Sequence, residues 1–216
     1  ATVEFDVDQA APSLSETAIG LATVNRNLGF GLGGAIGDTH GIVSVQVWQS
    51  KNGEAEIEID DVGPISNLTT SWSQPNLPRD PADIGTQVTG AAADGQYLYR
   101  IVVTDVVGKS TELVRTVRFD ATPPELTVSS PTVNEIVGVA PYTVRGTVSD
   151  GEGSGLSRLE YAWDAAFADA VQIPNPGVNW IVALDAEALG AEGEKTLYVR
   201  AVDNLGQETV FDAAPG

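Results

Sequence analysis

Short runs of Val, Ile, Leu, Thr and Tyr alternate with clusters of Gly, Asp, Asn and Pro along most of the 216 residues, and few stretches carry a helical period. A period of two sends successive side chains to opposite faces of a strand, so this pattern predicts an all-β protein. It is clearest in the second half, where seven strands are expected at 125–129, 142–149, 156–163, 171–173, 180–184, 196–203 and 208–211. In the second of these Tyr142, Val144, Gly146 and Val148 share one face. In the third Leu159, Tyr161 and Trp163 do, with Arg158 and Glu160 opposite. A single helical turn is expected around Asp185 to Leu189. Seven short strands separated by turn residues are the pattern of an antiparallel sandwich.

Phe119-Asp120-Ala121-Thr122-Pro123-Pro124 divides the chain, and variants recur at Phe5-Asp6 with Asp8-Gln9-Ala10-Ala11-Pro12 and at Phe211-Asp212-Ala213-Ala214-Pro215. Proline cannot donate to a ladder and biases its predecessor towards extended backbone, so each copy reads as a stiff joint between modules. The expected segments are 1–8, the end strand of a preceding module; 9–120, a first module with insertions; 121–212, a second; and 213–216, the start of a further linker. The halves repeat each other. Gly37-Asp38-Thr39-His40-Gly41-Ile42-Val43 matches Ser149-Asp150 with Gly155-Leu156-Ser157, and Asp94-Gly95 through Asp105-Val106-Val107-Gly108 matches Glu192-Gly193 through Asp203-Asn204-Leu205-Gly206. Trp72 corresponds to Trp180. The extra length falls in a proline-bearing loop at Pro75, Pro78 and Pro81 and in a longer final hairpin between Asp105 and Asp120.

The run Tyr198-Val199-Arg200-Ala201-Val202-Asp203-Asn204-Leu205-Gly206, a strand, and a Phe-Asp-x-x-Pro joint, with Gly146-Thr147-Val148-Ser149-Asp150 before Gly153-Ser154-Gly155-Leu156-Ser157, resembles bacterial immunoglobulin-like repeats. The fibronectin type III and cadherin folds are close architectural relatives. The resemblance covers nearly all of the second module and about half of the first. It implies two tandem immunoglobulin-like antiparallel β-sandwich domains, set end to end in an extracellular, secreted or cell-surface protein. Neighbouring modules of the same chain are the implied partners. Residues 52–93 match nothing in this pattern.

Composition narrows the function. Eleven basic residues against thirty acidic ones give a formal charge of −19. Nucleic-acid binding rests on Lys and Arg neutralising phosphate, so no nucleic acid is expected as a partner. Anionic membrane surfaces are disfavoured in the same way, and no apolar run is long enough for membrane insertion. With no cysteine there are no disulfides and no thiolate metal ligands. A strongly acidic surface favours cations and self-repulsion.

The acidic residues at the joints are the main candidates for chemistry. In an immunoglobulin-like sandwich the incoming chain meets the loops after the second and sixth strands. That gathers Asp8 (or Asp6), Asp38 and Asp105 in the first module, and Asp120, Asp150 with Glu152, and Asp203 in the second. Calcium takes 6–8 hard oxygen ligands and would stiffen such a joint, as in cadherins. The competing reading is that each Asp opens an ordinary turn closed by Gly. No cofactor other than possible calcium is expected.

The remaining motifs carry less. Glu54, Glu56, Glu58 and Asp60 are expected on one face of a strand, with Ala55, Ile57 and Ile59 opposite; a solvated face guarding a sheet edge explains them. Gly29-Phe30-Gly31-Leu32-Gly33-Gly34 formally matches the dinucleotide fingerprint but leads into no helix, and reads as a strand with Phe30, Leu32 and Ile36 inward. His40, the single histidine, is expected as an exposed turn residue without the company of a catalytic triad. Trp163 and Trp180 are expected in the core, and Trp72 beside the proline loop as a possible stacking platform. Asn67-Leu68-Thr69 fits a glycosylation pattern.

The leading expectation is a structural spacer or stalk segment of an adhesin-like surface protein, without enzymatic activity. The alternative is a module binding carbohydrate or a host or matrix protein through the insertion around Trp72–Gly90. A variant is strand exchange, with residues 1–6 completing a neighbouring subunit.

Overall fold

The structure, a computed structural model, describes residues 2–17, 23–25, 30–62, 69–132, 134–138 and 140–212. It divides into two compact units, Ala1–Ala121 and Thr122–Gly216. Each is an immunoglobulin-like pair of β-sheets around its own core.

The second unit follows the alternation closely. Its strands are β11 (Glu125–Ser130), β12 (Tyr142–Ser149), β13 (Leu156–Ala162), β14 (Val171–Gln172), β15 (Asn179–Leu184), β16 (Tyr198–Asp203) and β17 (Glu208–Asp212). One sheet has the order β11-β12-β15, the other β14-β13-β16-β17, all pairs antiparallel. Val144 and Val148 from one sheet meet Leu159, Tyr161, Val199 and Ala201 from the other. Burying each such aliphatic side chain stabilises by roughly 1.5–3 kcal/mol. Helix α1 is the single turn Ala186–Leu189; the Asp185 carboxylate accepts from Ala188 N at 2.8 Å, and Gly190 closes it at φ 64°. Trp163 corrects the expectation of a core residue: β13 stops at Ala162, the chain bends there, and the indole is 39% exposed against the edge of Tyr161.

The first unit is built on the same plan with additions. β1 (Ser13–Leu14), β3 (Leu32–Gly37) and β6 (Thr69–Gln74) form one sheet in the order β1-β3-β6. The other has the order β2-β10-β9-β4-β5, from β2 (Thr23–Asn25), β10 (Ser110–Asp120), β9 (Gly95–Asp105), β4 (Ile42–Lys51) and β5 (Ile57–Val62). β2 runs parallel to β10, with Thr23 opposite Arg118 and Asn25 opposite Asp120. Tyr97, Tyr99, Ile101 and Val103 alternate inward along β9 and pack with Val45, Val47, Leu32 and Ile36. Phe119 is sealed between Phe30 and Tyr97, edge-on at 5.3 and 5.2 Å.

The insertion ahead of β9 is an outlying hairpin, β7 (Arg79–Asp80) with β8 (Asp83–Gln87), followed by a 3-10 turn at Gly90–Ala93. Two contacts tie it down. Leu77 is fully buried in the core, and the Gln49 amide both donates to Arg79 O and accepts from Arg79 N, at 2.8 and 2.9 Å. Among the described residues β5 forms the free edge of its sheet, so Glu58 and Asp60 line an edge strand as expected, but Glu54 and Glu56 precede it.

One packing device occurs in both units. Trp72 on β6 lies opposite Gly34 on β3, and Trp180 on β15 lies opposite Gly146 on β12. A Cβ on Gly34 would collide with the Ser15 carbonyl, and one on Gly146 with the Thr127 carbonyl and the Trp180 ring. Glycine is therefore what lets the first strand and the indole close over the second strand.

Candidate cation sites at the module starts

In the first unit the chain enters along residues 8–12 beside two loops. Asp38 follows β3 and Asp105 ends β9. The Asp38 Oδ1 accepts from His40 N at 2.7 Å and Gly41 N at 3.1 Å. The Asp105 Oδ1 accepts from Val107 N and Lys109 N at 2.9 and 2.8 Å. Both are turn-forming aspartates, as the simpler reading requires. A ligand atom each from Asp8, Asp38 and His40 lie within 4.8 Å of one another. Asp105 is not a member of that group. Among the described residues its Oδ2 is nonetheless buried with no hydrogen-bond partner, as is the Oδ2 of Asp8.

His40 is a site residue that sequence reasoning assigned to an exposed turn. Its side chain is 26% exposed and stands between two carboxylates, Nε2 being 3.2 Å from Asp6 and Nδ1 3.4 Å from Asp8. No local pattern could have signalled this, because the partners are some thirty residues upstream and only the fold unites them. Lys109 completes the cluster. Its ammonium donates to Asp8 O at 2.6 Å, Asp8 Oδ1 at 3.3 Å and Ala10 O at 3.2 Å.

Asp120 ends β10 in the first unit, where the backbone pairs with Asn25. Asp150, Glu152 and Asp203 belong to the second unit. The Asp150 Oδ2 accepts from Gly155 N at 2.6 Å, and Gly153 N bonds back to the Asp150 carbonyl at 2.8 Å, so Glu152 sits inside a closed turn. The Asp203 Oδ1 accepts from Leu205 N and Gln207 N, both at 2.8 Å, repeating the Asp105 turn atom for atom. At the Lys109 position stands Gln207, whose amide reaches Thr122 O at 3.4 Å and Asp203 Oδ2 at 2.9 Å.

The entering proline is fastened identically in both units. Thr111 Oγ1 donates to Pro12 O, and Thr209 Oγ1 to Pro124 O, each at 2.5 Å. The third joint, at Ala213 to Pro215, lies outside the described residues, as do Gly29 of the glycine run and Asn67 and Leu68 of the glycosylation pattern.

Trp72 corrects the expectation of a binding platform. Its ring is 6% exposed, faces Gly34, and its indole N–H donates to Ser15 O at 3.0 Å. The aromatic that looked stranded beside a proline loop is core. The hairpin that follows presents small and charged residues instead, with Ile84 as its exposed apolar side chain.

On the outer faces the sheets carry matching ion-pair ladders. Arg100 stacks over Trp48 at 5.0 Å and binds Glu56 at 2.6 Å; Arg200 stacks over Phe167 at 4.3 Å and binds Glu160. The hydrogen bond from Arg100 holds Glu56 below the usual carboxylate range. In the second unit the Thr132 N–H, and after it the Tyr142 hydroxyl, hold Glu135 low, while burial pushes the Tyr142 phenol up.

Two immunoglobulin-like β-sandwich units, each entered through a proline clamped to its last strand, define the class of this chain. No protein-family model and no curated protein matches it. Among solved structures it is similar to the tetra-tandem repeat in the extending region of a large adhesion protein, at 15% identity and a TM-score of 0.40, over 94% of this chain and 50% of that one. It is also similar to the FN1-FN3 domains of chicken CNTN1, at 13% identity and a TM-score of 0.34, over 85% of this chain and 62% of that one. The chain thus spans about half to two thirds of the length of these structures.

Proposed function

We propose that this chain is a structural spacer segment of an extracellular, adhesin-like surface protein, its modules entered through joints that acidic side chains stiffen by holding calcium. The observation that carries the reading is the duplicated clamp, in which Thr111 holds Pro12 and Thr209 holds Pro124. A repeated joint fastened the same way each time transmits load from one module to the next. Neighbouring modules of the same chain are then its partners, and no catalysis is part of the role. The calcium reading draws on Asp8, Asp38 and Asp105 in the first unit and on Asp150, Glu152 and Asp203 after Asp120 in the second.

The first module has a further mechanical feature. β2, near its start, pairs in parallel with β10, which ends it. Tension applied through the two ends loads those hydrogen bonds together, in shear. In the second unit the first and last strands belong to different sheets.

Single-molecule stretching of the chain between handles tests the reading, since forced unfolding is governed by the unfolding barrier. The expected record has two separate unfolding events. The higher-force one belongs to the first module and is lowered by Thr23→Pro, which puts a residue without a backbone donor into the parallel pair. Removal of bound divalent cations lowers the force of both. A chain that extends without resolved events is no spacer, and unchanged forces in chelator remove the calcium.

A further inference from the structure

We propose that Asp8, Asp38 and His40 of the first unit form a site for one divalent transition-metal ion of the zinc type, with Asp6 as the outer carboxylate on the imidazole. This goes beyond the spacer role and does not rest on it; it assigns a different ion to one of the two acidic clusters.

The geometry begins with the turn. Asp38 Oδ1 accepts from the amides of His40 and Gly41, which fixes the imidazole over the incoming chain. Ligand atoms of Asp8, Asp38 and His40 come within 4.8 Å of one another. Asp8 Oδ2 lies 3.4 Å from His40 Nδ1. That matches the edge, about 3.3 Å, of a tetrahedron with zinc-to-ligand bonds of about 2.0–2.1 Å.

The second observation is independent of the cluster. The Asp8 side chain is 3% exposed, and its Oδ1 is engaged by Lys109 and by Ala10 N. Its Oδ2 is buried with no hydrogen-bond partner among the described residues and faces His40. A buried carboxylate oxygen left in this way is costly, and a coordinated cation removes the cost.

The imidazole supplies the choice of ion. Its Nε2 is 3.2 Å from Asp6 Oδ2, so the ring proton belongs there, donated to a carboxylate. Nδ1 is left with its lone pair towards Asp8. This is the arrangement in which a carboxylate orients a metal-bound histidine. The Thr39 hydroxyl, 3.0 Å from Nδ1, is the group the ion displaces. Calcium asks for six or more oxygens. Imidazole with a few carboxylates suits zinc and its neighbours. Three carboxylates against one ammonium, that of Lys109, leave the net charge a dication matches. His40 is the only histidine, so the second module cannot copy the site.

The test uses the whole chain, zinc chloride and calcium chloride. Because there is one imidazole, long-range proton–nitrogen NMR reads it without assignment. Zinc is expected to shift Nδ1 at one ion per chain while Nε2 stays protonated, and calcium to leave the ring unmoved. In calorimetry His40→Gln and Asp8→Asn should each weaken zinc binding at least about tenfold. An imidazole that does not respond to a molar excess of zinc overturns the proposal, as does a His40→Gln chain that binds zinc as tightly as the parent. Should the variants fail to fold, the titration of the parent decides alone. Zinc held here takes Asp8 and Asp38 out of the calcium reading, whereas the two separate unfolding events do not depend on which ion binds, so the spacer reading fails or survives separately.

Discussion

In the first module Trp72 faces Gly34 and its indole N–H is satisfied by Ser15 O; in the second Trp180 faces Gly146, and its buried indole nitrogen has no hydrogen-bond partner among the described residues. The turn after the sixth strand of the sandwich ends in Lys109 in one and Gln207 in the other. The loop after the second strand carries His40 in one and Glu152 in the other. What is held constant is the steric frame: a glycine under an indole, an aspartate closing a turn, a threonine on a proline carbonyl. What varies is the charge placed on that frame. The first module brings the Lys109 ammonium and the His40 imidazole to its entry, whereas the second brings a neutral amide. The frame fixes the fold, and the charge sets each entry's electrostatics apart.

The largest expected effect tests whether the two indoles are equivalent. Truncating a buried aromatic costs about 3–5 kcal/mol, so Trp72→Ala and Trp180→Ala should each remove about that much in urea unfolding. Replacement by Phe separates them. Trp72→Phe leaves the Ser15 carbonyl without its donor and should cost about 1 kcal/mol more than Trp180→Phe. Equal costs would mean that the hydrogen bond to Ser15 contributes nothing and that the two positions are interchangeable.

That pair also marks what could be read from sequence. The second module's strands were legible because each alternates cleanly and ends at Gly, Asp or Pro. Even Asp185 capping α1 could be anticipated, since the cap is local. Trp72 was misplaced because the loop that follows it carries Pro75, Pro78 and Pro81, while its reason for being buried, Gly34, is far away in sequence. The signal was present in the match of Trp72 to Trp180, since Trp180 was itself expected in the core. Trp163 failed for the opposite reason, since alternation continued on paper past the residue where β13 ends. The hairpin at 79–87 was illegible because Gln49, on a distant strand, supplies the bonds that hold it. The cluster of Asp8, Asp38 and His40 was half visible. Asp8 and Asp38 followed from the repeat, but His40 depends on Asp6 and Asp8 being folded against its loop.

A smaller effect concerns the clamp. Thr111→Val and Thr209→Val keep the shape of the side chain and delete one hydrogen bond to a proline carbonyl, which should cost about 1 kcal/mol each. Lys109→Gln gives the first entry the side chain of the second. If the ammonium on Asp8 O and Ala10 O adds to the clamp, Thr111→Val becomes more costly in that background than in the parent. A double-mutant cycle by urea unfolding measures the coupling, and a null coupling would show that the two fastenings are independent.

The smallest effect sets the outer ladders apart by pH. Glu56 is held below its ordinary value of 4.5, first by its hydrogen bond from Arg100. A carboxylate lowered in this way adds stability that is fully present above its unfolded value and is lost as the pH falls through its folded one. Glu56 and Arg100 are about a third and a quarter exposed, so solvent screens the pair and it should contribute only about 0.2–1 kcal/mol. Urea unfolding between pH 7 and pH 3 should therefore show Glu56→Gln less stable than the parent by that amount at neutral pH. The gap should close below about pH 4.5, where the unfolded-state carboxylate protonates. High salt should narrow the neutral-pH gap as well. A gap that persists at pH 3 would place the contribution of Glu56 in the packing of its stem, and the ladder on Trp48 would then rest on the stacking of Arg100 alone.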